Sequence, residues 1–99
     1  MNVRFSRQAN RDLEDAYLFH AERDPDLARS LLDNVISAAL SVPTFPDRGS
    51  PQPNAAGRPL RRLIEKGHVI VYVVDDNGVI VLRVAHGARD LDALLAEFN

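Results

Sequence analysis

Two amphipathic helical segments joined by a very short connection constrain this chain more than any other feature. In residues 7–22, apolar side chains recur at helical spacing on a face that includes Leu13 and His20. Asp24 and Pro25 follow, and an aspartate N-cap before a proline at the first helical position is a strong start signal for a second helix. Because roughly two residues separate them, the two helices must lie antiparallel as a helical hairpin.

The C-terminal half predicts a β-meander. Three segments rich in valine and isoleucine are separated by turn sequences, and they are Leu60–Ile64, His68–Val74 and Val79–Ala85. Asn77-Gly78 between two apolar runs is the strongest short signal for a β-hairpin. The segment before it, Glu65-Lys66-Gly67, can form a turn of two or three residues, so the register of the first strand stays open.

Shorter elements complete the prediction. Val3 and Phe5 alternate with polar residues and indicate a first strand, while Asp90 is predicted to cap a final helix. Residues 43–59, rich in proline, predict a long irregular loop that is either functional or a flexible connector. The predicted fold is therefore α+β: an N-terminal strand, an antiparallel helical hairpin packed on an antiparallel β-meander, and a short C-terminal helix, in one domain spanning residues 1–99.

Composition excludes several classes of protein. The 99 residues include no cysteine, so neither a disulfide framework nor a thiolate metal site is possible. The net charge of −2 argues against a uniformly basic nucleic-acid binder, and sequence-specific nucleic-acid binding is not expected. Basic residues nevertheless concentrate in residues 58–68, which suits contact with a selected partner. Without a membrane-spanning run, a cytoplasmic location with no membrane contact is expected.

The histidines predict no metal site. His20 lies on the apolar face of the first helix and is predicted to be core, while His68 at the start of a strand receives no role. His86 is interpreted as a structural histidine that is also a candidate contact. Since their spacing matches no metal-ligand pattern, neither a metal nor a cofactor is expected.

The hairpin register indicates where a partner would bind. If Asn77-Gly78 forms the turn, Tyr72 lies opposite Arg83, and Val71 opposite Val84. One sheet face would then be nearly all aliphatic and carry the helical hairpin. The other face, with Tyr72 and Arg83, would be half covered by the final helix and open for function. A structural cation–π or stacking pair between these two side chains is the alternative to a role in target binding.

Longer stretches of sequence carry a family resemblance. They are Leu60-Arg61-Arg62-Leu63, then HVIVYVV at residues 68–74, and VIVLRVAHGARD at residues 79–90. In this order, after a strand and a helical hairpin, they resemble the ParE/RelE toxin superfamily, and its ParE branch in particular. The resemblance implies the toxin of a type II toxin–antitoxin system, associated with plasmid stabilisation and growth arrest, which a cognate antitoxin neutralises.

The two branches of the superfamily imply different activities. ParE-like members inhibit DNA gyrase by direct binding, whereas RelE-like members cut messenger RNA on the ribosome. The resemblance implies that RNA-cutting members usually carry a tyrosine or histidine near the C-terminus, but the tail after Asp90 contains no tyrosine, histidine, lysine or arginine. Proton transfer in RNA cleavage would therefore fall to His86, with Arg61 and Arg89 holding phosphate. A gyrase inhibitor rather than an enzyme is therefore favoured. A ribosome-dependent endonuclease and a non-toxic interaction module remain the alternatives.

Candidate contact residues follow from these hypotheses, and no catalytic residue is assigned. Either Arg61 or Arg62 is predicted to join the open sheet face. Leu18, which lies among charged residues on the first helix, is the candidate antitoxin contact. The full set of candidate target contacts is Arg61, Arg62, Tyr72, Arg83, His86 and Arg89.

Overall fold

A computed structural model describes residues 2–45 and 47–98, without the side chains of residues 88–90 and 98. In chain order the elements are β1 (Asn2–Phe5), α1 (Arg7–Ala21), α2 (Pro25–Ser41), β2 (Ser50–Pro51), β3 (Arg61–Glu65), β4 (His68–Asp75), β5 (Gly78–His86) and α3 (Gly87–Leu95), followed by a 3₁₀ turn (Ala96–Phe98). The predicted α+β fold is confirmed, and the short β2 within the proline-rich loop is an addition. In the described part of the chain, no helix is long and apolar enough to cross a membrane.

Both helix starts follow the capping signals in the sequence. The Ser6 hydroxyl accepts a hydrogen bond from the Ala9 amide, and the Asp24 carboxylate accepts one from the Leu27 amide. Ser6 also donates its hydroxyl proton to the Leu82 carbonyl at 2.7 Å. The residue that begins α1 therefore also anchors that helix to β5.

The sheet has five strands in the order β1-β5-β4-β3-β2. β1 pairs in parallel with β5, whereas the remaining pairs are antiparallel. Where β1 begins, Asn2 lies opposite Gly78, and a Cβ atom at position 78 would lie 2.1 Å from the Asn2 carbonyl oxygen. Only glycine allows that approach. The meander prediction is confirmed, but the sequence did not indicate where β1 pairs.

The predicted hairpin register is wrong. Asp75 pairs with Gly78, so Asp76 and Asn77 form the turn. The Asp75 carboxylate accepts hydrogen bonds from the amides of Asn77 at 2.8 Å and Gly78 at 3.0 Å. Aspartate commonly stabilises turns in this way. Gly78 thereby becomes the first residue of β5.

A β-bulge shifts the register a second time. Tyr72 pairs with Val81, yet Val71 pairs with Arg83, so Leu82 is the extra residue on β5. Tyr72 therefore does not face Arg83, and the predicted cation–π pair is wrong. Beyond the bulge, the side chains of β5 change faces, and Val84 shares a face with Tyr72 rather than with Val71.

The two sheet faces are covered in the reverse of the predicted way. The helical hairpin packs on the face that carries Ile70 and Tyr72, and Tyr72 is fully buried. The other face, with Val69 and Val71, packs against Leu91 of α3. Because α3 presents several leucines, it also needs an aliphatic surface to pack against. The aliphatic content of a sheet face therefore did not show that the helical hairpin covers it. α3 also begins at Gly87, with His86 at the N-cap position, so the predicted Asp90 cap is wrong.

Candidate functional site

The strand arginines lie on opposite sheet faces and contact the chain's own loop. Lys66 and Gly67 form a two-residue turn with positive φ angles of 50° and 80°, as a primed hairpin turn requires. Arg61 consequently lies opposite Tyr72 on the hairpin side, and Arg62 opposite Val71 on the α3 side. The pairing thus shows that Arg61, rather than Arg62, shares a sheet face with Tyr72, which the sequence left open.

Each arginine donates to backbone carbonyls of the proline-rich loop. Arg61 Nη2 donates to the Gly49 carbonyl at 2.6 Å. Arg62 Nη1 donates to the Pro51 carbonyl at 3.1 Å and to Gln52 Oε1 at 3.2 Å. Both guanidinium groups are half-buried and hold the loop against β3.

Arg83 forms a second structural cluster with Asp12 of α1, here called the Asp12–Arg83 cluster. Arg83 Nε and Nη2 donate to the two Asp12 oxygens at 2.8 and 2.9 Å, a bidentate pair whose side chains are 11% and 13% exposed. A further ion pair links Arg83 to Glu97. Hydrogen bonding to Asp12, and secondarily to Glu97, raises the pKa of Arg83.

The Asp12 carboxylate also completes the edge of β5. β1 pairs with β5 only as far as Val81, and the Ser6 amide donates to the Val81 carbonyl where β1 ends. Two residues beyond Leu82, the Val84 amide donates to Asp12 Oδ2 at 2.9 Å. Arg83 and Asp12 are therefore explained by folding, because they satisfy backbone and charge where the strand pairing stops.

The predicted convergence of candidate contacts on one open face is wrong. Tyr72 is buried under the helical hairpin and Arg83 is paired with carboxylates, so neither side chain is open to a partner. The Arg89 side chain lies outside the described residues. His86 alone among the others is an exposed group that lines an open pocket.

Three histidines meet at that pocket, although they lie far apart in the sequence. His20 near the end of α1, His68 at the start of β4 and His86 at the end of β5 form what we call the histidine cluster. One ring nitrogen of each lies within 4.8 Å of the others. His68 and His86 are cross-strand partners, an arrangement that the incorrect register concealed. Sequence spacing alone missed the cluster, because α1 and the bulged strand bring it together.

The hydrogen bonds of the histidine cluster are incomplete. His68 Nδ1 lies 3.3 Å from the Lys66 carbonyl oxygen, and its Nε2 lies 3.3 Å from His86 Nδ1. His20 Nε2 is buried with no hydrogen-bond partner in the described part of the chain. Burial is the main cause that lowers the pKa of His68, and the neighbouring His86 lowers it further, while the bond to the Lys66 carbonyl opposes them.

The pocket beside these rings is open and has a volume of about 460 Å³. It lies where α1, the ends of β4 and β5, and α3 meet. Besides the three histidines, its wall includes Asp15, Phe19 and Leu94. This pocket combines an apolar wall with convergent polar groups, which is the usual composition of a ligand site.

An apolar surface lies on the adjoining part of α1. Leu18 and Phe19 are 54% and 57% exposed, and the Arg23 guanidinium lies 5.2 Å from the centre of the Phe19 ring. The predicted exposure of Leu18 is confirmed. Adjacent large apolar side chains that remain in water are a common mark of a partner surface.

Two solved toxin–antitoxin complexes contain chains with a similar fold. The chromosomal ParDE toxin–antitoxin system from P. aeruginosa includes a chain that is similar at a TM-score of 0.74 and 16% identity, covering 89% of this chain and 97% of that one. The RelBE2 toxin–antitoxin complex from Mycobacterium tuberculosis includes a chain that is similar at a TM-score of 0.60 and 24% identity, covering 86% of this chain and 95% of that one. A search of curated protein sequences gives no significant match. The fold of this chain is thus shared with a chain in each of these two complexes.

Residues 3–91 match the family described as the ParE toxin of the type II toxin–antitoxin system parDE. This chain belongs to the ParE toxin family.

Proposed function

We propose that this protein is a toxin that inhibits DNA gyrase by direct binding and is neutralised by a cognate antitoxin. Membership in the ParE family supports the choice of target. The observation that carries a binding mechanism is the packing of the tail. Leu91 and its neighbours in α3 pack on Val69 and Val71, and the tail after Asp90 contains no tyrosine, histidine, lysine or arginine that could act in RNA cleavage.

Two assays run side by side test this mechanism. Purified toxin should abolish supercoiling by gyrase or trap its cleavage complex, while messenger RNA on programmed ribosomes stays intact. Arg62→Ala should weaken gyrase inhibition roughly tenfold or more if its guanidinium contacts the target, since a charged hydrogen bond at an interface contributes about 1–3 kcal/mol. Cut message with unaffected gyrase would contradict the proposal.

Arg62 also holds the proline-rich loop, so the melting temperature of each variant must be measured in parallel. Arg61→Ala is the matched control, because Arg61 contacts the same loop from the opposite sheet face. Equal losses of inhibition and of stability in the two variants would assign both arginines to the loop alone.

The antitoxin is proposed to cover the exposed apolar surface of α1. Leu18→Asp should weaken the toxin–antitoxin complex by tenfold or more, because it places a carboxylate in an apolar contact, as roughly 1.4 kcal/mol corresponds to tenfold in affinity. The free toxin should keep its melting temperature, since Leu18 is 54% exposed. Leu40→Asp is a matched control at the same 54% exposure near the end of α2. A stable complex with the Leu18 variant would contradict this docking site.

One observation favours RNA cleavage as a second candidate function. The histidine cluster places several imidazoles beside an open pocket, and imidazole is the commonest acid–base group of enzymes. The ribosome assay described above decides between the two, and His86→Ala would abolish cutting if this alternative holds.

A further inference from the structure

We propose that the histidine cluster is a binding site for one divalent transition-metal ion of the zinc type, held by His20 Nε2, His68 Nε2 and His86 Nδ1. Neutral imidazole is the commonest metal ligand in proteins, and three imidazoles with a free fourth position form a complete protein ligand set for zinc. The 99-residue chain has no cysteine and only three histidines, so all of its nitrogen ligands of this kind meet at one place.

The separations of the nitrogen atoms suit a metal ion. Tetrahedral zinc with Zn–N bonds of about 2.0–2.1 Å places its ligand atoms roughly 3.3–3.4 Å apart. His68 Nε2 and His86 Nδ1 are already 3.3 Å apart. One ring nitrogen of His20 lies within 4.8 Å of the ligand atoms of the other two rings, and a shift of the half-buried His20 side chain toward them would give the separation of a tetrahedral site.

The second nitrogen of His68 is oriented as in known metal sites. His68 Nδ1 lies 3.3 Å from the Lys66 carbonyl oxygen, which can only accept a hydrogen bond. That contact places the proton on Nδ1 and leaves the lone pair of Nε2 pointing into the cluster. A backbone carbonyl that fixes the tautomer of a ligating histidine is the usual outer-shell partner of metal ligands.

His20 distinguishes a metal site from a simple pair of histidines. A hydrogen bond from His86 Nδ1–H to His68 Nε2 would explain those two rings without a ligand. It would leave His20 Nε2 buried and without a partner among the described residues, and an unsatisfied buried polar atom destabilises the folded state. A metal ion among the three rings satisfies every nitrogen that points inward.

The pocket provides access and an open coordination position. Its mouth exposes His86, and Asp15 lines the same pocket. Nitrogen ligands of this type favour zinc, copper and nickel over magnesium or calcium, which prefer oxygen. The remaining position faces the pocket, where water or another ligand can bind.

The test uses the full-length chain without an added histidine tag. Zn²⁺ should bind with one-to-one stoichiometry in calorimetry and raise the melting temperature, because the ligands from α1, β4 and β5 come together only in the folded state. Co²⁺ should give the intense visible absorption of a tetrahedral nitrogen site. Mg²⁺ at the same concentration should do neither.

Variants assign the ligands. His86→Ala removes an exposed side chain and His20→Gln a half-buried one, so both should fold without metal. Each should weaken Zn²⁺ binding at least about tenfold, since losing even an outer-shell partner costs about 10–100-fold. Asp76→Asn, at the exposed β4–β5 turn, is the control that should bind as the parent does. Absence of a Zn²⁺-dependent melting shift in the parent, or undiminished binding in both histidine variants, would overturn the proposal.

Discussion

Two polar clusters join α1 to the sheet, and they differ in whether folding accounts for them. In the Asp12–Arg83 cluster, opposite charges meet in a bidentate pair and the same carboxylate accepts the Val84 amide. In the histidine cluster, two turns further along the helix, like groups meet and His20 Nε2 has no partner among the described residues. The satisfied cluster is sufficiently explained by stability, whereas the incompletely satisfied one needs a further explanation, which the proposed metal ion supplies.

The largest expected effect is at Asp12. Asp12→Ala should destabilise the fold by about 3 kcal/mol or more, because it leaves the Arg83 guanidinium buried without its main partner and the Val84 amide without an acceptor. Chemical denaturation measures this change in the free energy of unfolding. Glu14→Ala, at an exposed position of the same helix, should stay within about 0.5 kcal/mol. Similar values for both variants would remove the distinction between the clusters.

A double-mutant cycle sharpens the same point. Asp12→Ala and Arg83→Ala should couple by about 1–3 kcal/mol, since each removes one side of the same pair. The double variant should therefore unfold much less readily than the sum of the single losses predicts. Additive losses would show that the pair contributes through its separate contacts with the strand and with Glu97.

The metal-free histidine cluster should tolerate substitution far better. His86→Ala should change the free energy of unfolding by no more than about 1 kcal/mol, because the side chain is exposed and its described hydrogen bond is a single one, to His68. Denaturation in the presence of a chelator measures the change. A loss as large as that of the Asp12 variant would make the histidines a structural cluster of the same kind.

The smallest effect belongs to Glu97, at the rim of the Asp12–Arg83 cluster. Its side chain is 52% exposed, so its ion pair with Arg83 is screened by water. Glu97→Gln should cost about 0.2–0.5 kcal/mol, and added salt should reduce even that difference. A loss above about 1 kcal/mol would show that the tail is essential to the cluster.

Local signals predicted the elements, but they did not predict which surfaces meet. The helix caps at Ser6 and Asp24 could be predicted from the sequence because each cap acts within one helical turn. The face assignment failed because the Asp75 side chain moved the turn by one residue and the bulge at Leu82 then exchanged the faces beyond it. Bulges carry no reliable signature in a single sequence, so errors of this kind accumulate along a strand.

The candidate site was less predictable than the fold, for a related reason. Leu18 could be recognised as exposed because it broke the pattern of its own helix. His20, by contrast, followed the apolar pattern of α1, and nothing near it in sequence indicates two further histidines. Their meeting depends on strand pairing and helix docking together, which are long-range properties of the fold.

The parallel pairing of β1 with β5 has a consequence for the order in which the protein folds. The helical hairpin and the β3–β5 meander close through short connections, whereas Ser6 meets Leu82 across 76 positions of sequence. Closing so long a loop costs about 4 kcal/mol of chain entropy before any contact compensates for it. We therefore expect β1 to dock late, after the rate-limiting step, so that Val3→Ala should speed unfolding while leaving the refolding rate almost unchanged. During synthesis on the ribosome, β1 likewise cannot pair until β5 has emerged.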